Sequence, residues 1–435
     1  MTRHIGIVAT GLTLALAGAG GAYAIALTTA IASSRSSGGA KAAEVGPAAG
    51  DARTAAATAP AIAPRAAREP GAATRPARSA APDSPAVPRT PGAGAAVRAA
   101  SITVYVANYS SGTVTPISAV TGRAGQAVSV GRGPDAIAIT PNGRTAYVAS
   151  STSGTVTPIR TATDIAGKAI GVGRWPDAIA ITPNGKTAYV ANNGSGTVTP
   201  INTAAGAAGK PIKVGAGPAQ IAVSPDGKTV FVVSDTAGTV TPISTATRKA
   251  GAAIKVGRPG PYAIAITPNS RTAYVASYQA GTVTPISTRK AGRAIKVGAG
   301  PDAIAITPNG KTAYVADDGP ALVIPVSTAT DKAGKPIKVA RPGPYTIAIT
   351  PNGKTAYVAS YYAGSVTPIG TATGKPGTPV KVGSGPVAIS VTPNGGTAYV
   401  LSLVAGTVTP ISTTTDRAGQ QVGVGSFPCA LAITP

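Results

Sequence analysis

The only histidine of this 435-residue chain is His4, and the only cysteine is Cys429. Between residues 101 and 435 there is no histidine and no glutamate, and ten aspartates are the whole acidic complement. Without histidine, neither a Ser-His-Asp nor a Cys-His arrangement can be assembled there. Histidine metal sites are excluded with it, and a thiolate site needs more than one cysteine. Paired carboxylates would have to come from aspartate alone. Asp317-Asp318 is the one adjacent pair. Neighbouring strand residues point to opposite faces, so a polar loop is favoured over a cation site. A lone cysteine in a strand reads as a small buried hydrophobe. The residue types speak against catalysis, and no cofactor or metal is expected. What remains is binding chemistry: aromatic rings beside arginines, which suit sugar rings, or stacked bases beside phosphates.

Those rings are carried by a repeat. ITPNGKTAYVAN, with small variations, returns every 40 to 43 residues from about residue 101 to the end, marked by Tyr105, Tyr147, Tyr189, Phe231, Tyr274, Tyr314, Tyr357 and Tyr399. A fixed period of this length signals a repeat architecture. In residues 177–214 the unit reads DAIAIT, a Pro183-Asn184-Gly185 turn, TAYVAN, GTVTPIN and PIKV. These are four short strands, and Asn-Gly is a strong hairpin signal. Four strands per unit predict the blade of a β-propeller. Ala178, Ile179, Ala180 and Ile181 alternate small with large, as a crowded innermost strand requires. Lys213, Lys255, Lys296 and Lys338 suit an exposed outer edge. Pro116, Pro158, Pro200, Pro242, Pro285, Pro325, Pro368 and Pro410 recur in the third strand and predict a bulge or an early end to pairing there. The repeats begin on a second strand, SITVYVAN, and end on a first strand, ALAITP, so the two partial units complete one blade. The expected fold class is all-β: a β-propeller of eight four-stranded blades, with seven blades and a displaced unit as the alternative.

The phrases TPNGKTAYVAN, GTVTPI and IKVG resemble the YVTN β-propeller repeat family over residues 101–435. The name-giving tetrad stands as Tyr-Val-Ala-Asn at Tyr105 and Tyr189, and mostly as Tyr-Val-Ala-Ser elsewhere. The resemblance implies an exported or surface-associated bacterial propeller. Many members resemble seven-bladed rings, and an eighth set departs from that pattern. Some relatives look like DNA binders and others like lactonases, so the resemblance does not choose among functions.

Three segments are expected. Residues 1–32 have a basic start, MTRH, and then 28 uncharged residues, which read equally as a cleaved export signal or a membrane anchor. Residues 33–100, rich in Ala, Pro, Arg, Gly and Ser, read as a disordered linker that cannot bury enough surface to fold. Residues 101–435 form the propeller. The formal charge is +24, which attracts anionic polymers without specifying a site. The expected location is extracellular or cell-surface.

Within the repeats, variation concentrates on one face. Loops joining the fourth strand to the next first strand, and the second to the third, share that face. They carry Tyr109, Arg174, Trp175, Arg258, Tyr262, Tyr278, Arg341, Tyr345, Tyr361, Tyr362 and Phe427, the candidate ligand-binding residues. Asp302, Asp317 and Asp318 lie between the two tyrosine groups, and Asp135, Asp177 and Asp302 are expected to bond loop N–H groups. The opposite face repeats Arg144, Lys186, Lys228, Arg271, Lys311 and Lys354, read as a solvated surface rather than a polymer grip. The expected function is a non-catalytic binding scaffold for an anionic cell-wall polymer, a glycan or a surface protein. The alternatives are a structural surface-layer protein, a DNA-binding propeller and a lactonase-like enzyme. Nucleic acid is the less favoured partner, and the membrane is touched through residues 1–32 if they are retained.

Overall fold

A computed structural model describes residues 13–15, 24–28, 102–257 and 260–435. Most of the expected signal or anchor and all of the expected linker fall outside these residues. No helix among the described residues is long and apolar enough to cross a membrane.

The repeats form eight antiparallel sheets, each with four principal strands. Blade 1 draws on both ends of the repeat region: Pro428–Ile433 is its inner strand and pairs with Thr103–Asn108, which continues to Thr113–Ser118 and Val128–Ser129. The inner strands of blades 2 to 8 are Pro134–Ile139, Pro176–Ile181, Pro218–Val223, Pro261–Ile266, Pro301–Ile306, Pro344–Ile349 and Pro386–Val391. The expected eight blades and shared closing sheet are both present.

The Ala–Ile alternation works across blade boundaries. In blade 2, Ile137 and Ile139 pack with Ala430, Ala432 and Ala107 of blade 1. Ala136 and Ala138 instead pack with Ile179, Ile181 and Val190 of blade 3. One face of each sheet is small and the other large, so successive sheets fit face to face at core density. Truncating one of these isoleucines to alanine in such a core costs ~2–5 kcal/mol.

The third-strand prolines do not produce a bulge. Tyr105 lies opposite Pro116 and Tyr189 opposite Pro200 in unbroken registers. The missing N–H faces the outer side, where pairing does split. In blade 3, Thr197 and Val198 pair with Lys213 and Ile212, while Ile201 and Asn202 pair with Ala208 and Ala207. Between these stretches a glycine N–H reaches the proline carbonyl, as from Gly125 to Pro116 at 2.7 Å. A Cβ on Gly125 would sit 3.2 Å from the Pro116 ring, so glycine permits this close approach. The bulge lies instead in the inner strand, where register shifts between the first and third residues in each blade, as at Pro134/Ala136 and Pro261/Ala263.

The repeat tyrosines tie blades together. Tyr105 donates to the Asp164 carboxylate of the next blade at 2.5 Å, Tyr274 to Asp331 at 2.6 Å and Tyr357 to Asp416 at 2.6 Å. Tyr147 and Tyr314 donate to the carbonyls of Thr203 and Thr371. Burial first, and then the bonded aspartate, raise the phenols of Tyr105, Tyr274 and Tyr357 far above their ordinary value. Stability linked to them is present below the ordinary phenol value of ~10. It is lost as pH rises beyond that, because the unfolded chain ionises first. Replacing Asp331 or Asp416 with Ala is expected to cost ~1–2 kcal/mol. The measurement is the denaturant midpoint at constant slope, and an unchanged midpoint would show that the clasp contributes nothing.

Candidate functional site

The inner-strand bulge sets the geometry of the loop face. Its extra residue is left out of the ladder, and across blades 1 to 8 this position is Cys429, Asp135, Asp177, Ala219, Tyr262, Asp302, Tyr345 and Val387. A second set lies beside it, at the start of the loops between second and third strands: Tyr109, Ser151, Asn193, Asp235, Tyr278, Asp318, Tyr361 and Leu403. In every blade the N–H of that residue donates to the carbonyl just before the inner strand, as from Tyr278 to Gly260 at 2.9 Å and Tyr361 to Gly343 at 2.8 Å. The scaffold repeats while these sixteen side chains vary.

The preceding carbonyl belongs to glycine in six blades, and Gly260 and Gly343 have φ of 79° and 81°. In blades 3 and 1 the same slot holds Trp175 and Phe427, at φ of 50° and 56°. A left-handed backbone is costly for residues with a Cβ, yet these two rings are kept and remain 60% and 37% exposed. Phe427 meets Tyr109 edge-on at 6.1 Å. Trp175 lies over Gly194.

Blades 5 to 7 bring the other rings together. Tyr262 meets Tyr278 edge-on at 6.1 Å. Tyr345 lies 5.6 Å from Tyr361, which lies 4.9 Å from Tyr362. Tyr345 is almost wholly buried, whereas Tyr362 is exposed. Asp302, in blade 6, is close enough to Tyr262 and Tyr345 to act on both phenols. Tyr262 is pushed up to about 12, by burial first and then by Asp235, Asp302 and Tyr278. Burial, then Asp318 and Asp317, raise Asp302 well above the usual carboxylate range. Burial also raises Asp235, Asp317 and Asp318.

The aspartates divide by role. Asp317 accepts the N–H groups of Ala299 and Gly300, the latter at 2.7 Å, and ties a loop. Its position is that of Asn108 and Asn192, whose side chains do the same for Gly425 and Gly173. Asp318 follows the strand's last residue, on the loop face that forms the mouth of the ring, beside Gly343 and Tyr362. Burial and then Asp235 lift Asp177 to about 8, against the lowering effect of the Asn193 side chain. Asp302 was expected to bond loop N–H groups, but its carboxyl accepts no hydrogen bond among the described residues.

The guanidiniums of Arg174 and Arg341 are exposed and donate to the carbonyls of Gly194 and Pro320, each at 3.2 Å. Arg258 lies outside the described residues. Sequence reasoning therefore found the rings but missed the weight of the carboxylates, Asp235 above all. Its only signal was its place two residues after the FVV of the second strand. A further cavity of about 580 Å³ is lined by Tyr361, Leu403, Val404 and Phe427 among others. Cys429 is fully buried, its thiol facing the Pro134 carbonyl at 3.1 Å and raised well above its ordinary value by burial and then Asp135. Among the described residues no three His, Cys, Asp or Glu side chains come together as metal ligands.

No family model and no curated protein sequence matches the chain. Solved propellers do match. Hydrazine synthase of Kuenenia stuttgartiensis is 22% identical, with a TM-score of 0.54, over 64% of this chain and 95% of its own. Citrobacter koseri AztD is 14% identical with a TM-score of 0.59, over 77% and 97%. The dihydro-heme d1 dehydrogenase NirN is 14% identical with a TM-score of 0.62, over 76% and 74%. At these identities the likeness establishes the propeller fold, and the neighbours' functions are diverse.

Two measurements follow from the site. Stability linked to Asp177 is present below the ordinary aspartate value and is lost as pH rises towards about 8. Asp177→Asn should therefore flatten that slope and add on the order of 2 kcal/mol at the alkaline end. An unchanged pH profile would show that the folded chain holds Asp177 ionised. Trp175→Gly should raise stability by ~1 kcal/mol through relief of the left-handed backbone. A loss instead would mean that the ring serves packing.

Proposed function

We propose that the chain is a YVTN-type propeller, exported or held at the membrane by residues 1–32, and that it works as a non-catalytic scaffold binding a glycan on its loop face. The observation that carries this reading is the set of tyrosine pairs Tyr262–Tyr278 and Tyr345–Tyr361 on either side of Asp302. Aromatic faces cover the C–H side of a sugar ring, and carboxylates accept its hydroxyls. Carboxylates and phenols at the mouth disfavour an anionic ligand there. The basic hairpin residues, including Lys186, Lys228 and Lys311, lie at the other end of the strands and give any polyanion only non-specific attraction. The uncharged segment 5–32 and the spacer 33–100 support display outside the cytoplasm. Catalysis is disfavoured by the scarcity of acid–base groups.

The test titrates the purified full chain, and its Tyr262→Ala and Tyr361→Ala variants, with soluble cell-wall oligosaccharides, an anionic wall polymer and DNA across rising salt. Salt-resistant binding of an oligosaccharide, weakened at least ~10-fold in either variant, is the expected result. Binding confined to polyanions, abolished by salt and indifferent to both variants, would leave charge alone at work and end the glycan reading.

A further inference from the structure

Resting on that glycan-binding reading, we infer that the mouth selects a protonated amine on the ligand, seated over Asp302 between the rings of Tyr262 and Tyr345. Asp302 is 7% exposed, and no hydrogen bond from a described residue satisfies its carboxyl. Asp235 and Asp317 do have donors, Thr236 for the one and the Ala299 and Gly300 N–H groups for the other. A buried carboxyl in that condition wants a donor or a cation. The charges acting on it are two further carboxylates, Asp318 and Asp317. No described lysine or arginine forms an ion pair there, although the repeats carry 28 basic residues.

The surroundings decide what kind of cation fits. A metal ion needs several ligands at once, and no such group of side chains exists among the described residues. An ammonium needs less: one carboxylate for its charge and ring faces for the rest of its surface. Tyr262 and Tyr345 hold the equivalent bulge positions in the blades on either side of Asp302. A neutral sugar would meet the same rings, and a protonated Asp302 could donate to its hydroxyl, so charge on the ligand is the discriminating variable.

Glucosamine oligomers and their N-acetylated counterparts share a backbone and differ in that charge. Calorimetric titration of the full chain is expected to show at least tenfold tighter binding of the amine form. Asp302→Asn should abolish this preference. Choline should likewise bind in preference to its uncharged isostere 3,3-dimethylbutan-1-ol, and should lose that preference in both Asp302→Asn and Tyr345→Leu. Thermal unfolding of each variant confirms that it is folded. A preference that arises only in Arg258→Ala would show that Arg258 already neutralises Asp302 and would overturn the inference. Equal binding of the two oligomers, or a preference that survives Asp302→Asn, would also overturn it and leave the glycan reading standing. Failure of both oligomers with choline still preferred would remove the glycan reading and retain the amine site.

Discussion

The packing of one sheet's small face against the next sheet's large face is the constraint on which the rest depends. Ala136 and Ala138 can approach Ile179 and Ile181 because each supplies little volume where its neighbour supplies much. Repeated around the ring, this fit leaves no blade with an uncovered face, provided the ring closes. Closure is achieved by Pro428–Ile433 pairing with Thr103–Asn108, so the two ends of the repeat region are held by ladder bonds as well as by packing. The tyrosine clasps add a polar bond across several of these interfaces.

A core so regular places its own limits on function. Side chains that face neighbouring blades are committed to volume matching, and the hairpin ends are committed to the Asn-centred turns, in which Asn142 and its equivalents accept the N–H two residues on. Freedom is left where the inner strand bulges. The extra residue there is outside the ladder, and a single backbone hydrogen bond holds the adjoining loop whatever side chain it carries. Sixteen positions therefore carry different side chains on one repeated backbone. Trp175 and Phe427 go further, since they occupy slots whose backbone suits glycine.

The electrostatics of that face run against the bulk charge. A chain of formal charge +24 gathers Asp235, Asp302, Asp317 and Asp318 among tyrosines in blades 4 to 7. Burial raises all four, Asp318 and Asp317 raise Asp302 further, Asp318 also raises Asp317, and carboxylates raise the phenols of Tyr262, Tyr278 and Tyr345. Mutual repulsion in a poorly hydrated site has to be offset by the scaffold's stability or by a ligand. Clustered, shifted groups of this kind are found where proteins bind.

The amino-acid sequence by itself determined the eight units, the four strands of each, the shared closing blade and the face on which variation gathers. All of these follow from local periodicity: alternation for strands, Asn-Gly for turns and a constant spacing for blades. Of the two outcomes it allowed at the third-strand proline, the bulge is absent and the interrupted pairing is present on the outer side, because the missing N–H matters only where a partner would stand, and that side is known only from the sheet. It also found the rings, with Asp302, Asp317 and Asp318 between them, but not Asp235 or the burial that shifts all four. Asp235, Asp302 and Tyr345 are far apart along the chain, and only ring closure at a fixed radius brings blades 4, 6 and 7 to one mouth. Burial there, which raises the carboxyls and leaves Asp302 without a donor, is a property of the assembled ring and of no single repeat.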